Sequence, residues 1–206
     1  MKENAYDNDS FFEKYSRMTR SEKGLEGAGE WPALKRLLPD FKGKRVLDMG
    51  CGYGWHCAYA AGQGAEYVLG IDLSEKMLAC ARTINAAPQI VYRRCAIEDL
   101  SFTAESFDAV ISSLVLHYVE SFPDVARKTA AWLTRGGDFV FSVEHPIFTA
   151  EGPQKWQLNA RGEHMYWPVD RYFAEGVRQA VFLGEYGAVD KVSHQLSRYA
   201  IMRKTA

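Results

Sequence analysis

Between Arg45 and Gly54 the chain reads Arg-Val-Leu-Asp-Met-Gly-Cys-Gly-Tyr-Gly: a short apolar run, a carboxylate at Asp48, and three alternating glycines, Gly50, Gly52 and Gly54. Residues without a Cβ let a backbone turn tightly while a ligand rests against it. The following Trp55-His-Cys-Ala-Tyr-Ala-Ala reads as the start of a helix. Strand, glycine turn and helix N-terminus bring unpaired N–H groups and the positive end of a helix dipole to one spot, which suits nucleotide-like ligands. A dinucleotide fingerprint needs a third small residue at position 55, where this chain carries tryptophan. Asp48, beside the turn, would repel a diphosphate and attract a cation. The end of the ligand nearest the turn is therefore expected to be positive and free of phosphate.

S-adenosylmethionine, with an ammonium, a sulfonium and no phosphate, meets that description. Three further stations follow in order: Tyr67-Val-Leu-Gly-Ile-Asp72-Leu-Ser, then Cys95-Ala-Ile-Glu-Asp-Leu100 after the strand-like Ile90-Val-Tyr, then Phe107-Asp-Ala-Val-Ile-Ser-Ser-Leu114 leading into Val115-Leu-His-Tyr118. Over roughly Val46 to Ile147 the chain resembles the class I S-adenosylmethionine-dependent methyltransferases, in particular the small-molecule branch often called type 11. The resemblance implies that Asp48 and the turn of Gly50, Cys51, Gly52 and Gly54 face the methionine part of the cofactor. Asp72, about twenty residues past the turn, would grip the ribose with its two acceptor oxygens. Leu73 and Met77 would cover one face of the adenine, Ala96, Ile97 and Glu98 would meet its edge, and Ser113 would lie beneath the sulfonium. Many members carry an acid where this chain has Ala96, which leaves the adenine amino group to Glu98 or to backbone.

The elements that must position these residues read as an alternating series. Strands are expected at 44–49, 66–71, 89–94, 107–112 and 137–144, and helices at 54–62, 74–86 and 122–135. Such alternation predicts an α/β fold, a Rossmann-like doubly wound and mostly parallel sheet of order 3-2-1-4-5 with helices on both faces and a crevice at the strand carboxyl ends. Three regions follow: a helical N-terminal appendage at 1–40, the core at 41–147, and an aromatic-rich C-terminal appendage at 148–206. In the first, Phe11, Tyr15 and Met18 share a helical face, as do Trp31, Leu34, Leu37 and Leu38. The first face can pack as core, or Tyr15 and Met18 can form the lid over the cofactor that the resemblance implies, where aromatic rings suit a cation.

The tail holds Trp156, His164, Tyr166, Trp167, Tyr172 and Phe173, a density that suits a cover over a planar small substrate or ordinary docking onto the core. The family's last two strands, an antiparallel pair, are expected to be missing or rearranged. Residues 179–184 are strand-like, but Val189, Val192, Leu196 and Tyr199 recur at helical spacing. An uncovered fifth strand would then need the tail or a second subunit, so a homodimer is one expectation.

Composition narrows the class further. With 206 residues, 47% hydrophobic, and a formal charge of −1, the chain can bury one core and offers no bulk charge for nucleic acid or an anionic membrane. No stretch has the length of a membrane span or the form of a signal region, so a cytoplasmic protein is expected. Cys51, Cys57, Cys80 and Cys95 include no C-x-x-C pair, and no metal site is expected.

Methyl transfer from a sulfonium to a small-molecule acceptor is an in-line displacement driven mainly by orientation and exclusion of water, with S-adenosylhomocysteine as product. A base is needed only where the acceptor must lose a proton; the candidates are His117, past the fourth strand, and Glu144-His145, past the fifth. A structural role for His117 is equally open. Two other classes stay in view, an NAD(P)-dependent oxidoreductase and a non-catalytic S-adenosylmethionine-binding protein.

Overall fold

A computed structural model describes residues 4–150, 153, 155–181 and 188–193. Its centre is a five-stranded sheet of β1 (Arg45–Met49), β2 (Tyr67–Asp72), β3 (Ile90–Arg94), β4 (Phe107–Ser113) and β5 (Leu133–Ser142), in the order β3-β2-β1-β4-β5. Every pairing is parallel, with Leu47 opposite both Leu69 and Val110. This is the α/β, Rossmann-like arrangement expected from the alternating pattern.

Central parallel strands are buried on both faces and so read as continuous apolar runs. From β1, Leu47 and Met49 pack with Val110, Phe122, Val125 and Trp132, the last three supplied by a helix at Phe122–Trp132. Val46 turns to the other face with Val68, Ile111, Cys57, Ala60 and Leu78, supplied in part by helices at Trp55–Gly62 and Glu75–Ile84. With α1 (Asp9–Ser16), α2 (Thr19–Lys23) and α3 (Trp31–Leu37) ahead of the sheet, these three become α4 (Trp55–Gly62), α5 (Glu75–Ile84) and α6 (Phe122–Trp132). Ser74 caps α5 by accepting from the Met77 amide at 3.2 Å, and Ser121 caps α6.

Two local expectations change. Met18 does not continue the α1 face: α1 ends at Ser16, and Met18 has extended backbone at the start of α2. The fifth strand begins at Leu133, not 137, because Leu133 pairs with Phe107 and a register shift with Gly136 at φ +76° carries the strand on. No helix among the described residues is long and apolar enough to cross a membrane.

The N-terminal segment is fastened at several points. Asn8 caps α1 by accepting from the Phe11 amide at 3.1 Å. Asp7 accepts from the Ser74 hydroxyl at 2.6 Å and the Lys76 amide at 3.2 Å, which ties residues 4–9 to the start of α5. Burial opposes the Asp7 charge, but hydrogen bonds from Ser74, Asn4 and backbone outweigh it and hold the carboxyl below its usual range. Trp31 is buried edge-on against Tyr59 of α4, with ring centres 4.8 Å apart.

After β5 come α7 (Pro146–Thr149) and two small antiparallel sheets, β6 (Gln157–Leu158) with β7 (His164–Tyr166) and β8 (Gly176–Val181) with β9 (Ala188–Ser193). As expected of a missing or rearranged final pair, β8 and β9 form their own two-stranded sheet and do not extend the main one among the described residues. Val189 and Val192, spaced as on a helix, lie in β9 opposite Ala180 and Val177. Tertiary pairing overrides a spacing of three that β-branched residues carry equally well in a strand. Leu196 and Tyr199 fall outside the described residues.

Candidate functional site

The strand ends open into one cavity of about 420 Å³, within the size of small-molecule sites. Fourteen of the candidate site residues named from sequence line it: Tyr15, Met18, Gly50, Gly52, Asp72, Leu73, Met77, Ala96, Ile97, Glu98, Ser113, His117, Glu144 and His145. They come from β1, β2, β3, β4 and β5 ends and from the N-terminal segment. Asp48, Cys51 and Gly54 do not line it.

Asp72 organises the cofactor end. Its Oδ2 accepts from the Gly52 amide at 2.8 Å and its Oδ1 from the Ser74 amide at 2.9 Å, so one carboxylate pins the glycine turn and the start of α5. Burial raises its pKa, while the backbone donors from Ser74, Gly52 and Leu73 work to lower it. A carboxylate has about four lone-pair positions, so capacity remains beyond these backbone donors for a ligand hydroxyl. Gly52 has φ +53° and a Cβ built there would meet open space, whereas one at Gly50 would strike Val115 at 2.3 Å.

The residues outside the lining have other work. Gly54 has φ +77° at the start of α4, and a Cβ there would lie 2.2 Å from the Tyr92 hydroxyl. Its freedom serves packing. Cys51 faces a smaller adjoining recess, together with Arg20, Trp55 and His56. Asp48 corrects the electrostatic reading: it is 1% exposed beneath the turn, and its Oδ2 accepts from the Cys57 thiol at 3.2 Å. Side chains alternate along a strand, and Asp48 shares the face that meets α4. It is no wall of the cavity.

Burial pushes the Asp48 carboxyl up to about 7, against the lowering effect of the Cys57 hydrogen bond. The unfolded chain releases this proton near pH ~4, so from about pH 4 to 7 the folded state holds the extra proton and Asp48 increasingly opposes folding as pH rises. Asp48→Asn removes that titration. Its stability relative to the parent should rise by about 2–3 kcal/mol between pH 5 and pH 8, as read by denaturant melts; a difference independent of pH would show that Asp48 does not titrate in this window.

The two histidines are both engaged through Nδ1. In His117, Nδ1 accepts from the Glu144 amide at 3.5 Å, and in His145, Nδ1 accepts from the Ile147 amide at 3.2 Å. A neutral ring in either place therefore carries its proton on Nε2 and donates from it. Burial, helped by the charge of Lys191, lowers the His117 pKa to about 3, which keeps that ring neutral. Ser113 lies 3.0 Å from the Ser142 hydroxyl and 3.4 Å from Glu30 Oε1.

Several lining residues carry no motif. Tyr6 meets Tyr118 hydroxyl to hydroxyl at 3.2 Å and packs edge-on against Phe11 and Tyr15. Arg20 pairs with Glu30 at 2.7 Å. From beyond β5 come Phe148 and Lys191; none of the six aromatic tail residues lines the cavity. Trp156 instead stacks on His164 at 5.0 Å and meets Trp167, while Tyr166 and Phe173 are largely exposed. Lys191 has no sequence signal, because only the β8–β9 pairing brings it to the site.

A family model described as a methyltransferase domain matches residues 47–141. An S-adenosylmethionine-dependent methyltransferase of known structure from Mesorhizobium loti is 45% identical, with a TM-score of 0.76 over 85% of this chain and 79% of that one. The chain belongs to the S-adenosylmethionine-dependent methyltransferases. Among curated relatives, a ubiquinone biosynthesis O-methyltransferase of Sinorhizobium medicae is 33% identical, over 79% of this chain and 62% of that protein. A tRNA U34 carboxymethyltransferase of Hahella chejuensis is 36% identical, over 55% of this chain and 36% of that protein. The chain thus spans about a third to three fifths of these two relatives' lengths.

This methyltransferase uses S-adenosylmethionine, and the cavity fits it. The fixed carboxylate of Asp72, the open face of Gly52 and the apolar Leu73, Met77 and Ile97 are what a ribose and a flat base require. Trp55, which bars a dinucleotide fingerprint, lies over Gly24, where an added Cβ would touch its indole at 3.0 Å. That bulky side chain locks α4 to the N-terminal segment.

Proposed function

We propose that this methyltransferase acts on a small-molecule acceptor, in the cytoplasm, beneath a cover formed by the N-terminal segment together with Phe148 and Lys191 from beyond β5. The observation that carries the reading is the single cavity reaching from Asp72 and Met77 to Glu144 and His145, with Tyr6, Tyr15 and Met18 along its N-terminal side. The formal net charge of −1 also offers no bulk attraction for a polynucleotide. The ubiquinone-pathway relative supports a small acceptor; the tRNA relative matches over little more than a third of its own length.

The bound cofactor would supply an already electrophilic methyl group, and the protein would supply orientation and dryness. Asp72 would hold the ribose, Leu73, Met77 and Ile97 the base, and Ala96 and Glu98 its edge. Tyr15 and Met18 would cover the methionine end, next to Ser113. Arg20 and Lys191 are the cationic side chains among the described lining residues, and Arg20 also borders the recess beside the glycine turn. We assign it to the cofactor carboxylate. Arg20→Met should weaken S-adenosylhomocysteine about tenfold through one lost charged hydrogen bond. Methylthioadenosine, which lacks the amino acid, should bind the variant and the parent alike, and an equal loss for both ligands would refute the assignment.

Thermal-shift titration separates the classes: S-adenosylhomocysteine should stabilise the protein and NAD should not. Transfer of a labelled methyl group would then be screened over small hydroxylated and amino compounds, with bulk tRNA as the opposing arm. Labelling of tRNA alone would overturn the small-acceptor reading.

A further inference from the structure

We propose that Glu144 receives the acceptor's proton during methyl transfer, with Lys191 as the residue that positions it, so that the acceptor is a hydroxyl or an amine bearing that proton. The inference rests on the methyl-transfer reading above. Among the described residues three carboxylates line the cavity: Asp72, Glu98 and Glu144. Asp72 is bound to two backbone amides at the end of β2, and Glu98 follows β3, the edge strand beyond it. Glu144 follows β5. Three strand spacings of about 4.8 Å put it roughly 14 Å across the sheet from the β2 end, on the side where an acceptor would enter.

At that side Glu144 Oε2 accepts from Lys191 Nζ at 2.6 Å. Lys191 is 3% exposed and its ammonium lies 5.9 Å from the Tyr118 ring centre, so the cation is held in place from below. The Glu144 side chain keeps a quarter of its surface exposed, which leaves carboxylate for the cavity. His117 beside it is neutral and donates from Nε2, suited to steady an acceptor lone pair but not to take its proton. In the step, a lone pair on the acceptor oxygen or nitrogen forms the new bond to the methyl carbon. The carbon–sulfur electrons return to sulfur, and the acceptor proton passes to Glu144. The sulfonium charge and the carboxylate charge disappear together.

The test needs no identified acceptor. Sinefungin, a cofactor analogue, carries a primary ammonium where the sulfonium methyl stands, and so projects a proton donor toward the acceptor side; S-adenosylhomocysteine does not. By calorimetry on the full chain, the parent should prefer sinefungin. Glu144→Gln should cut that preference about tenfold with S-adenosylhomocysteine affinity kept within about twofold. Lys191→Met should reduce the same preference and Lys191→Arg restore it; equal losses for both ligands in Lys191→Met would make Lys191 merely structural and overturn its part. No preference in the parent, or one that survives Glu144→Gln, overturns the proposal. If neither ligand binds the parent, the methyl-transfer reading falls with it.

Discussion

Gly52→Val is expected to reduce S-adenosylhomocysteine affinity at least about 100-fold while the protein stays folded. The new side chain meets no protein atom within 4 Å of its Cβ, so packing is spared. It would instead stand in the open space of the cavity that Gly52 lines, where a ligand would rest against the turn. A β-branched residue at φ +53° adds strain of about 1–2 kcal/mol, which favours a turn displaced from its ligand-ready form. Calorimetry, with circular dichroism and a melt as the folding control, reads the result. Parent-like affinity in a folded variant would place the cofactor elsewhere. Gly54 offers the contrast, since a Cβ there collides with Tyr92 and any loss would come through the fold.

Asp72→Ala should be nearly as severe, at about 10–100-fold in affinity. The substitution removes the acceptor for the ligand hydroxyls and also orphans the Gly52 and Ser74 amides, freeing the turn and the first residue of the α5 cap together. Asp72→Asn keeps one acceptor oxygen and should fall between the variant and the parent. A calorimetric affinity unchanged in Asp72→Ala would remove this carboxylate from the ribose site.

Much of this arrangement was legible in the sequence because it depends on local chemistry. Strand ends marked by Asp72, by the Ala96–Glu98 turn and by Ser113 are set by a parallel sheet whose order follows from the alternation of elements. What escaped depends on which way a side chain points or on distant pairing. Asp48 stands in the motif, yet strand alternation turns it under the sheet toward Cys57. His117 and His145 have the residue type of a base, but each spends Nδ1 on a backbone amide that no spacing announces. The C-terminal hairpin escaped because Val189 and Val192 fit two periodicities, and Lys191 escaped with it. Tyr6 and Arg20 sit in an irregular leader whose short helices carry little pattern, so their places follow from docking alone.

That leader is stitched to the body on both flanks of the sheet, by Asp7 to Ser74 beside β2 and by Tyr6 to Tyr118 beyond β4. The Tyr6 stitch is a neutral hydrogen bond of about 1 kcal/mol, while the charged Asp7 accepts from both the Ser74 hydroxyl and the Lys76 amide, each worth about 1.5–3 kcal/mol. Buried Phe11 and Trp31 and the contact of Gly24 with Trp55 hold the same segment, so it stands as a fixed wall of the cavity. A substitution that unpacks this segment would therefore cost ligand affinity as well as stability, because Tyr6, Tyr15, Met18 and Arg20 leave the cavity wall together.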